Sequence, residues 1–214
     1  MKIAVVGATG FVGTALTKEA LTRGHEVTAI ARSTEKIETG NPHLTAKEAD
    51  VFKIDALTKV LKEHDAVVST YNAGWTNPNL YDDFINGSEA IQAATKRAGV
   101  KRLLVVGGAG SLFVTKDLQL VDSPDFPAEW KTGATAARDY LNTLRKESEL
   151  DWTFLSPAIN LHPGERTGKF RLGTEQPVFN EEQKCEISVE DMAVAIVDEL
   201  ENNQFIKQRF TLGY

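Results

Sequence analysis

The chain opens with the apolar run KIAVV at residues 2–6 and continues directly into GATGFVG at residues 7–13. The run predicts a β-strand, and apolar residues at helical spacing predict a helix over residues 11–23 that ends before Gly24. A glycine-rich turn that joins a strand to a helix is the pattern of a dinucleotide-binding loop. Here the strand, the turn and the helix follow one another in the order that such a loop requires.

Three glycines give this turn its predicted function. Gly7 permits the tight turn after the strand, and Gly10 lets a pyrophosphate approach backbone N–H groups at the helix N-terminus. Gly13 lets the helix pack closely on the strand. A turn without a ligand is the alternative, but the spacing and the flanking elements favour the dinucleotide loop.

The rest of the chain alternates short apolar runs with segments of helical periodicity. This alternation predicts an α/β fold with a doubly wound, mostly parallel, Rossmann-type sheet of about seven strands. We expect one domain over residues 1–214, because this length suits a single core. Two long irregular segments, 107–132 and 157–184, follow predicted strand ends, where open parallel sheets bind ligands, and we expect residues 157–187 to form a small substrate-side cap. Further strands are predicted at 26–31, 44–50, 66–70, 102–106, 153–156 and 209–212, and further helices at 79–98, 133–150 and 189–200.

The composition argues against several classes of protein. The chain has 24 Lys and Arg against 30 Asp and Glu, and its net charge of −6 has the wrong sign for binding nucleic acid through phosphates. One cysteine, Cys185, cannot form an intrachain disulfide and suits a reducing compartment. There is no apolar stretch near the roughly 18 residues of a membrane span and no signal peptide, so we expect a cytoplasmic protein without membrane contact. The histidines are too scattered to predict a metal site, and we expect a monomer or homodimer.

The spacing G-x-x-G-x-x-G at residues 7–13 is that of the short-chain dehydrogenase/reductase superfamily. The whole chain resembles the short, atypical members of that superfamily, a group of NAD(P)-binding proteins that includes NADH-flavin reductases and epimerase/dehydratase-like proteins. In organisation it is also similar to biliverdin reductase B. The other stretches that carry the resemblance are VKRLLVVGGAGSL at 100–112, PGERTGKFRLG at 163–173 and ISVEDMAVAIVDELE at 187–201.

The end of the second predicted strand bears on which nicotinamide is bound. An NAD-specific site places Asp or Glu about 20 residues after the glycines, where the carboxylate accepts a hydrogen bond from the ribose 2′-OH. This strand instead ends in Ala31, Arg32 and Ser33. A guanidinium suits a 2′-phosphate, so NADPH is favoured over NADH, with a solvated surface Arg32 as the alternative.

The resemblance implies further cofactor contacts. In similar proteins an Asp at the position of Asp50 accepts from the adenine amino group, and the next residue, Val51, lies beside the ring. Asp50 equally suits a cap of the helix that follows. Residues 69–74 resemble the segment that passes under the nicotinamide ribose. In total, the predicted cofactor-binding residues are Gly7, Thr9, Gly10, Phe11, Val12, Gly13, Arg32, Asp50, Val51, Thr70, Tyr71, Asn72, Ser156 and Pro157.

Typical members of the superfamily reduce a carbonyl with a Ser, a Tyr and a Lys four residues after the Tyr. None of the four tyrosines in this chain has that lysine, and Tyr140, on the expected helix, is followed there by Leu144. Flavins and quinones accept hydride into a delocalised ring and take a proton from solvent. We therefore predict an NADPH-dependent oxidoreductase whose small-molecule acceptor is a flavin, a quinone or a similar conjugated ring, the flavin being a substrate and not a bound group.

Ser111 lies where the superfamily places its catalytic Ser, and we predict that Ser111 and Asn72 orient the reacting groups. Substrate contacts are predicted from Ser111, from Trp75, which with Tyr81 would stack on a planar ring, and from Arg166, which would neutralise an acidic group. The alternatives are a helix cap for Ser111, core positions for the aromatic residues and an ordinary salt bridge for Arg166. Two other functions stay open: a dinucleotide-sensing regulatory protein without turnover, and a nucleotide-sugar epimerase or dehydratase with its base elsewhere.

Overall fold

The computed structural model describes residues 1–214, which form ten strands and five helices. None of the five helices combines the length and the apolarity that crossing a bilayer requires. The helices are α1 (Phe11–Thr22), α2 (Ile54–Leu61), α3 (Leu80–Arg97), α4 (Ala128–Leu144) and α5 (Val189–Asn202). The strands are β1 (Lys2–Val6), β2 (Glu26–Ala31), β3 (Leu44–Glu48), β4 (Ala66–Ser69), β5 (Arg102–Val106), β6 (Asp151–Ser156), β7 (Asn160–His162), β8 (Arg171–Gly173), β9 (Glu186–Ser188) and β10 (Gln208–Gly213).

The main sheet has eight strands in the order β3-β2-β1-β4-β5-β6-β10-β8. All neighbouring strands are parallel except β8, which pairs antiparallel with β10. The order reverses between β1 and β4, because the chain runs outward from β1 to β3 and then returns to the other side of β1. This topology confirms the predicted doubly wound Rossmann-type fold, and it leaves a crevice beyond the carboxyl ends of β1 and β4 where such sheets bind ligands.

The predicted number of strands was too low, and several boundaries differ. The seven predicted strands are all present to within two residues at either end, but β8 makes the sheet eight-stranded. The cap region contains a separate parallel pair, β7 with β9, that was not predicted either. Helix α4 begins five residues earlier and ends six residues earlier than predicted, and α2 was missed. The additional strands have three residues each, so tertiary pairing rather than local periodicity determines them.

The core lies on both faces of the sheet. Successive residues of β1 alternate between two apolar clusters: Ile3 belongs to the cluster that includes α1 and α5, and Ala4 to the cluster that includes α2, α3 and α4. Strands β4 and β5 are likewise buried along their whole length. Burial on both faces explains why these strands are continuous apolar runs and not alternating ones.

The cap, residues 157–187, is fixed to the rest of the domain by a buried carboxylate. Asp191, in the first turn of α5, accepts hydrogen bonds from the backbone N–H of Thr167 at 2.8 Å, from that of Gly168 at 2.7 Å and from the Tyr214 hydroxyl at 2.9 Å. Cys185 is buried at the other end of the cap, where its Sγ accepts from a backbone N–H at 3.4 Å. Hydrogen bonds to a charged acceptor are about twice as strong as neutral ones, so Asp191 holds the cap firmly.

Glu147, just after α4, connects α4 to α3. Its side chain is only 5% exposed and accepts hydrogen bonds from the amide of Gln92 (2.7 Å), the ammonium of Lys96 (3.2 Å) and the backbone N–H of Glu149 (2.6 Å). Burial opposes ionisation of this carboxyl group, but the hydrogen bonds outweigh burial and lower its pKa from 4.5 to about 2.

The low pKa of Glu147 predicts acid sensitivity. Since the pKa is lower in the folded than in the unfolded chain, this group stabilises the fold above pH 4.5, and the stabilisation is lost as the pH falls from there towards 2. We expect Glu147→Gln to flatten the pH dependence of the urea midpoint between pH 5 and pH 3. The exposed Glu26→Gln variant is the control, and parallel midpoint curves for wild type and Glu147→Gln would contradict the prediction.

Candidate functional site

A groove of about 290 Å³ runs along the carboxyl ends of β1 to β4. It is lined by nine of the predicted cofactor-binding residues, which the four strand ends bring to one edge of the sheet. Phe11 lines a neighbouring cavity instead, whereas Val12 and Gly13 lie in the first turn of α1. The nine predicted residues in the groove are Gly7, Thr9, Gly10, Arg32, Asp50, Val51, Thr70, Tyr71 and Asn72.

The glycine turn has no room for side chains at two of its three glycines. Gly7 has a φ of +85°, which favours glycine, and a Cβ atom there would lie 2.8 Å from the carbonyl oxygen of Thr70. A Cβ atom on Gly13 would lie 2.3 Å from the carbonyl oxygen of Gly7. The hydroxyl of Thr70 donates to the carbonyl oxygens of Val6 and Gly7, at 3.0 and 3.1 Å, and so ties the turn to the end of β4.

Helix α1 begins at this turn with unsatisfied donors. The backbone N–H groups of Thr9, Phe11, Val12 and Gly13 have no acceptor in the chain, and the first helical bond is the one from Thr14 to Gly10. The helix has no side-chain cap and no acidic residue in its first turn. Free N–H groups and the positive end of a helix dipole suit an anion, so this part of the groove fits the pyrophosphate of a dinucleotide.

Arg32 lies on the rim of the groove directly after β2. Its side chain is exposed and forms no hydrogen bond or ion pair within the chain, and no carboxylate lies at the end of β2. An unpaired guanidinium at this point is free to pair with an anionic group.

Asp50 forms a turn beside the groove. Its Oδ1 accepts from the backbone N–H of Phe52 at 3.0 Å, and its Oδ2 has no partner in the chain. Asp50 does not cap α2, because the N-cap residue of that helix is Lys53 and no side chain donates or accepts a capping hydrogen bond there. Phe52 was not predicted as a site residue, yet its ring lines the groove and is 49% exposed. An aromatic residue next to Asp50 and Val51 was the signal that could have identified it.

The segment after β4 contains one phenol and one amide. The Tyr71 hydroxyl donates to the backbone carbonyl of Asp83 at 3.0 Å. Burial, together with the charge of Asp83, raises the pKa of Tyr71 to about 12, so its phenol is a poor acid near neutral pH. Asn72 is exposed; its Oδ1 accepts from the backbone N–H of Gly74 at 2.7 Å, which leaves its NH₂ group free to donate.

The structure does not place Ser111 in contact with the groove. The side chain is 1% exposed, lies 3.3 Å from the hydroxyl of Ser156 and accepts from Nη1 of Arg209 at 3.1 Å. Ser156 and Pro157, two predicted cofactor contacts, are also buried. Arg209 of β10 holds Ser111 inside the domain in this structure, and direct contact between Ser111 and a hydride acceptor stays a prediction. Arg209 gave no recognisable signal in the sequence.

Trp75 is on the surface, next to the groove. Its ring is 53% exposed and meets the ring of Trp130 edge to face, with centroids 4.8 Å apart. A Cβ atom on Gly133 in α4 would lie 2.7 Å from Trp75 Cζ3, so the glycine allows this close contact. The hydroxyl of Tyr81 is hydrogen-bonded to a different residue: it donates to Oδ2 of Asp139 at 2.8 Å.

Arg166 forms a salt bridge within the chain. Its Nε and Nη2 donate to the two carboxylate oxygens of Glu19, at 2.6 and 2.8 Å, and Glu19 is 5% exposed. Glu19 also pairs with Arg23 at 2.8 Å. The predicted neutralisation of an acidic substrate by Arg166 is therefore not available in this arrangement, and the alternative interpretation, an ordinary salt bridge, is the one that the structure shows.

The structure contains no phenol paired with a lysine. Tyr140 is buried in the core between α3 and α4, where its hydroxyl donates to Gln92 at 3.2 Å, and burial raises its pKa. No group of three or more His, Cys, Asp and Glu side chains is arranged to hold a metal ion.

Comparison with known proteins agrees with the fold. The sequence is 39% identical to YwnB of Bacillus subtilis (strain 168), over 99% of this chain and 98% of that protein. A structure from Bacteroides thetaiotaomicron called a "putative epimerase" has a TM-score of 0.93 and 47% identity, and covers 100% of this chain and 96% of its own. SP1627 of Streptococcus pneumoniae TIGR4, called a "putative NADH-flavin reductase", has a TM-score of 0.86 and 39% identity. The match covers 100% of this chain and 99% of the SP1627 chain. These proteins confirm the predicted resemblance. A model of the NAD(P)H-binding family matches residues 7–203, and the chain belongs to that family.

Proposed function

We propose that the protein is an NADPH-dependent oxidoreductase that transfers hydride to a flavin, a quinone or a similar conjugated acceptor. The observation that carries the proposal is the row of unsatisfied N–H groups at the start of α1, beside the point where Thr9 and Gly10 line the groove. The name of the Streptococcus pneumoniae relative supports a flavin as acceptor. The absence of a Tyr-Lys pair supports an acceptor that needs no proton from the protein.

The groove suggests how the two halves of the coenzyme would lie. In a doubly wound sheet a dinucleotide crosses the switch point, so its adenosine would lie over β1 to β3 and its nicotinamide beyond β4 and β5. Arg32 would bind the 2′-phosphate, Asp50 the adenine amino group and Phe52 the adenine ring. The N–H groups of α1 would bind the pyrophosphate, and the free amide NH₂ of Asn72 would orient the nicotinamide half.

The chain's own task in the reaction is positioning. When bound, the reduced nicotinamide supplies a hydride, which carries two electrons; the acceptor ring gains that hydride and one proton from solvent, and the nicotinamide leaves oxidised. The residues around the groove hold the donor and the acceptor ring in line, which lowers the entropic part of the barrier. No side chain of the protein has to change its protonation state.

Arg32 is the residue to change for coenzyme specificity. We expect Arg32→Ala to weaken NADPH binding about 10- to 100-fold, as for loss of a charge-assisted hydrogen-bonded pair, and to leave NADH binding within about twofold. Equilibrium titrations with both coenzymes measure this difference. Lys36→Ala, a change of a second exposed cation on the same loop, is the matched control. Equal losses of NADPH and NADH affinity would contradict the role of Arg32.

The proposed function is tested by titrating the protein with NADPH and NADH and then following the absorbance of the reduced nicotinamide. FMN, riboflavin and a quinone are offered in turn as acceptors. We expect coenzyme consumption with at least one of them. Tight NADPH binding without consumption on any acceptor would instead support the alternative of a dinucleotide-sensing regulatory protein.

A second candidate is the nucleotide-sugar epimerase or dehydratase that the sequence left open, and the Bacteroides relative's name, which calls it an epimerase, supports the epimerase part of that alternative. Such an enzyme must remove a proton from a hydroxyl and needs a general base near the nicotinamide. Tyr71 is the phenol beside the groove, and its raised pKa makes it unsuitable for that role near neutral pH. Turnover of a nucleotide sugar by the purified protein would nevertheless displace the oxidoreductase proposal.

A further inference from the structure

Two exposed tryptophans stand together at the edge of the sheet where the nicotinamide half is expected. Trp75 follows β4 by six residues, and Trp130 lies in the first turn of α4. The two residues are 53% and 44% exposed, although tryptophan is highly buried on average. Gly110, in the 3₁₀ turn after β5, lies close to Ala134 of α4, so the start of α4 is held against the end of β5. The pair therefore stands beyond the ends of β4 and β5.

The arrangement of the two rings leaves an aromatic face open. In an edge-to-face pair one ring presents its edge to the face of the other, so the rings do not cover each other fully. Close contact with Gly133 holds the Trp75 ring in place. A rigid, half-exposed aromatic surface beside a coenzyme groove suits a planar conjugated ring, which gains from stacking and from burial of apolar area.

The chain segments that carry the pair are strongly acidic. Residues 72–83 and 120–139 contain six carboxylates but only two cations. One of the cations, Arg138, is paired with Asp122 at 2.9 Å and with Asp139 at 2.9 Å, which leaves Lys131 as the other. Arg166, the cation predicted to neutralise an acidic substrate, is paired with Glu19. The six carboxylates are those of Asp82, Asp83, Asp122, Asp125, Glu129 and Asp139.

We propose that Trp75 and Trp130 form the platform on which the hydride acceptor stacks, and that the carboxylates of the two segments that carry these residues select an acceptor ring without a phosphate group. The proposal rests on the oxidoreductase function proposed above and narrows its substrate class. Riboflavin or an uncharged quinone is then preferred over FMN. A phosphate monoester carries about −1.5 to −2 charges at neutral pH, and like charges repel it from this surface.

Riboflavin and FMN share the same reacting ring, so comparing them isolates the phosphate group. We expect kcat/KM with riboflavin to exceed that with FMN by about fivefold or more at low ionic strength, where the Debye length is about 30 Å. Near 1 M salt, with a Debye length of about 3 Å, the ratio is expected to fall towards one. A ratio of one at low salt, or a preference for FMN, overturns the charge selection. Consumption of NADPH with neither flavin nor quinone overturns the proposed function instead.

Two charge variants test whether the preference for riboflavin over FMN arises at the surface that carries the tryptophan pair. Glu129→Gln, next to Trp130, is expected to raise the relative rate with FMN by about twofold at low salt, since one repulsive charge is removed. Glu26→Gln removes one charge at the amino end of β2, away from the carboxyl ends of the strands where the tryptophan pair stands. It is expected to leave the riboflavin-to-FMN ratio unchanged. Equal effects of the two variants would show that the net charge of the whole protein, and not this surface, determines the preference.

Tryptophan variants test the platform. Trp130→Ala is expected to raise KM for riboflavin about tenfold while the Kd for NADPH stays within twofold, because stacking on an aromatic ring is lost. Trp130→Phe keeps an aromatic face and is expected to recover most of the affinity. The third tryptophan, Trp152, is 3% exposed and is the second residue of β6, near the amino end of that strand, so it is not part of this pair. Fluorescence quenching by riboflavin that persists undiminished in Trp130→Ala, with an unchanged KM, overturns the platform.

Discussion

Gly10→Asp is expected to weaken NADPH binding about 100-fold, which corresponds to about 2.8 kcal/mol. The new carboxylate would stand at the N-cap of α1 and accept hydrogen bonds from the N–H groups of Val12 and Gly13, the donors that we assign to the pyrophosphate. It would also repel the negative charge of the coenzyme. Isothermal titration with NADPH measures the loss.

The fold is expected to tolerate this substitution. A Cβ atom on Gly10 would meet only the carbonyl oxygen of Gly7, at 3.2 Å, and an Asp N-cap stabilises a helix by only about a few tenths of a kcal/mol more than a Gly N-cap. The melting temperature of Gly10→Asp should therefore stay at or near that of the wild type. Gly40→Asp is the matched control, because a Cβ atom there meets nothing within 4 Å. NADPH binding of wild-type strength in Gly10→Asp would refute the assignment of the glycine turn.

Arg102→Met is expected to destabilise the protein by about 3–5 kcal/mol, the cost of leaving a buried charge without its partner. Arg102 starts β5 and donates to Oε1 of Glu199 at 2.6 Å, and their side chains are only 8% and 2% exposed. Arg102 also donates to the hydroxyl of Thr153 at 2.9 Å and to the side chain of Asn203 at 3.0 Å. The substitution would leave the Glu199 carboxylate buried without its cationic partner, although the backbone N–H groups of Gln204 and Phe205 would still donate to it. Urea unfolding measures the loss.

A surface ion pair provides the control for this experiment. Arg97 and Asp55 are 3.1 Å apart and are 58% and 91% exposed, so Arg97→Met is expected to cost less than about 1 kcal/mol. Arg102→Met combined with Glu199→Met is expected to be less unstable than the sum of the two single variants, since neither buried charge is then left alone. A loss below about 1 kcal/mol for Arg102→Met would contradict the prediction and would show that the Glu199 carboxylate does not depend on Arg102.

The sequence predicted the elements whose signal is local. Strands β1, β4 and β5 are buried on both faces and therefore read as continuous apolar runs. Strands β7, β8 and β9 have three residues each, and each exists because a distant strand pairs with it. Helix α2 was missed although Leu57 and Leu61, four residues apart, are both fully buried. Its eight residues are too few for a clear helical periodicity between loops.

The candidate site likewise combines residues that a local sequence pattern predicts with residues whose position depends on distant partners. The glycine turn, Arg32 and Asp50 were correctly expected to share one edge, because parallel strands place their carboxyl ends together. Their roles toward a coenzyme stay predictions. Ser111 and Arg166 were expected to face the substrate, and the structure pairs them with residues 98 and 147 positions away in the chain. No local pattern in a sequence reveals a partner at such a distance.

The buried thiol of Cys185 offers a way to observe how the cap opens. This cysteine precedes β9, its carbonyl oxygen accepts from the backbone N–H of Asn160, and burial raises the pKa of its thiol. A thiol reagent can therefore react only during excursions in which β7 and β9 separate. The chain contains one cysteine, so the labelling rate reports the free energy of that local opening without any substitution, and can be compared with and without coenzyme.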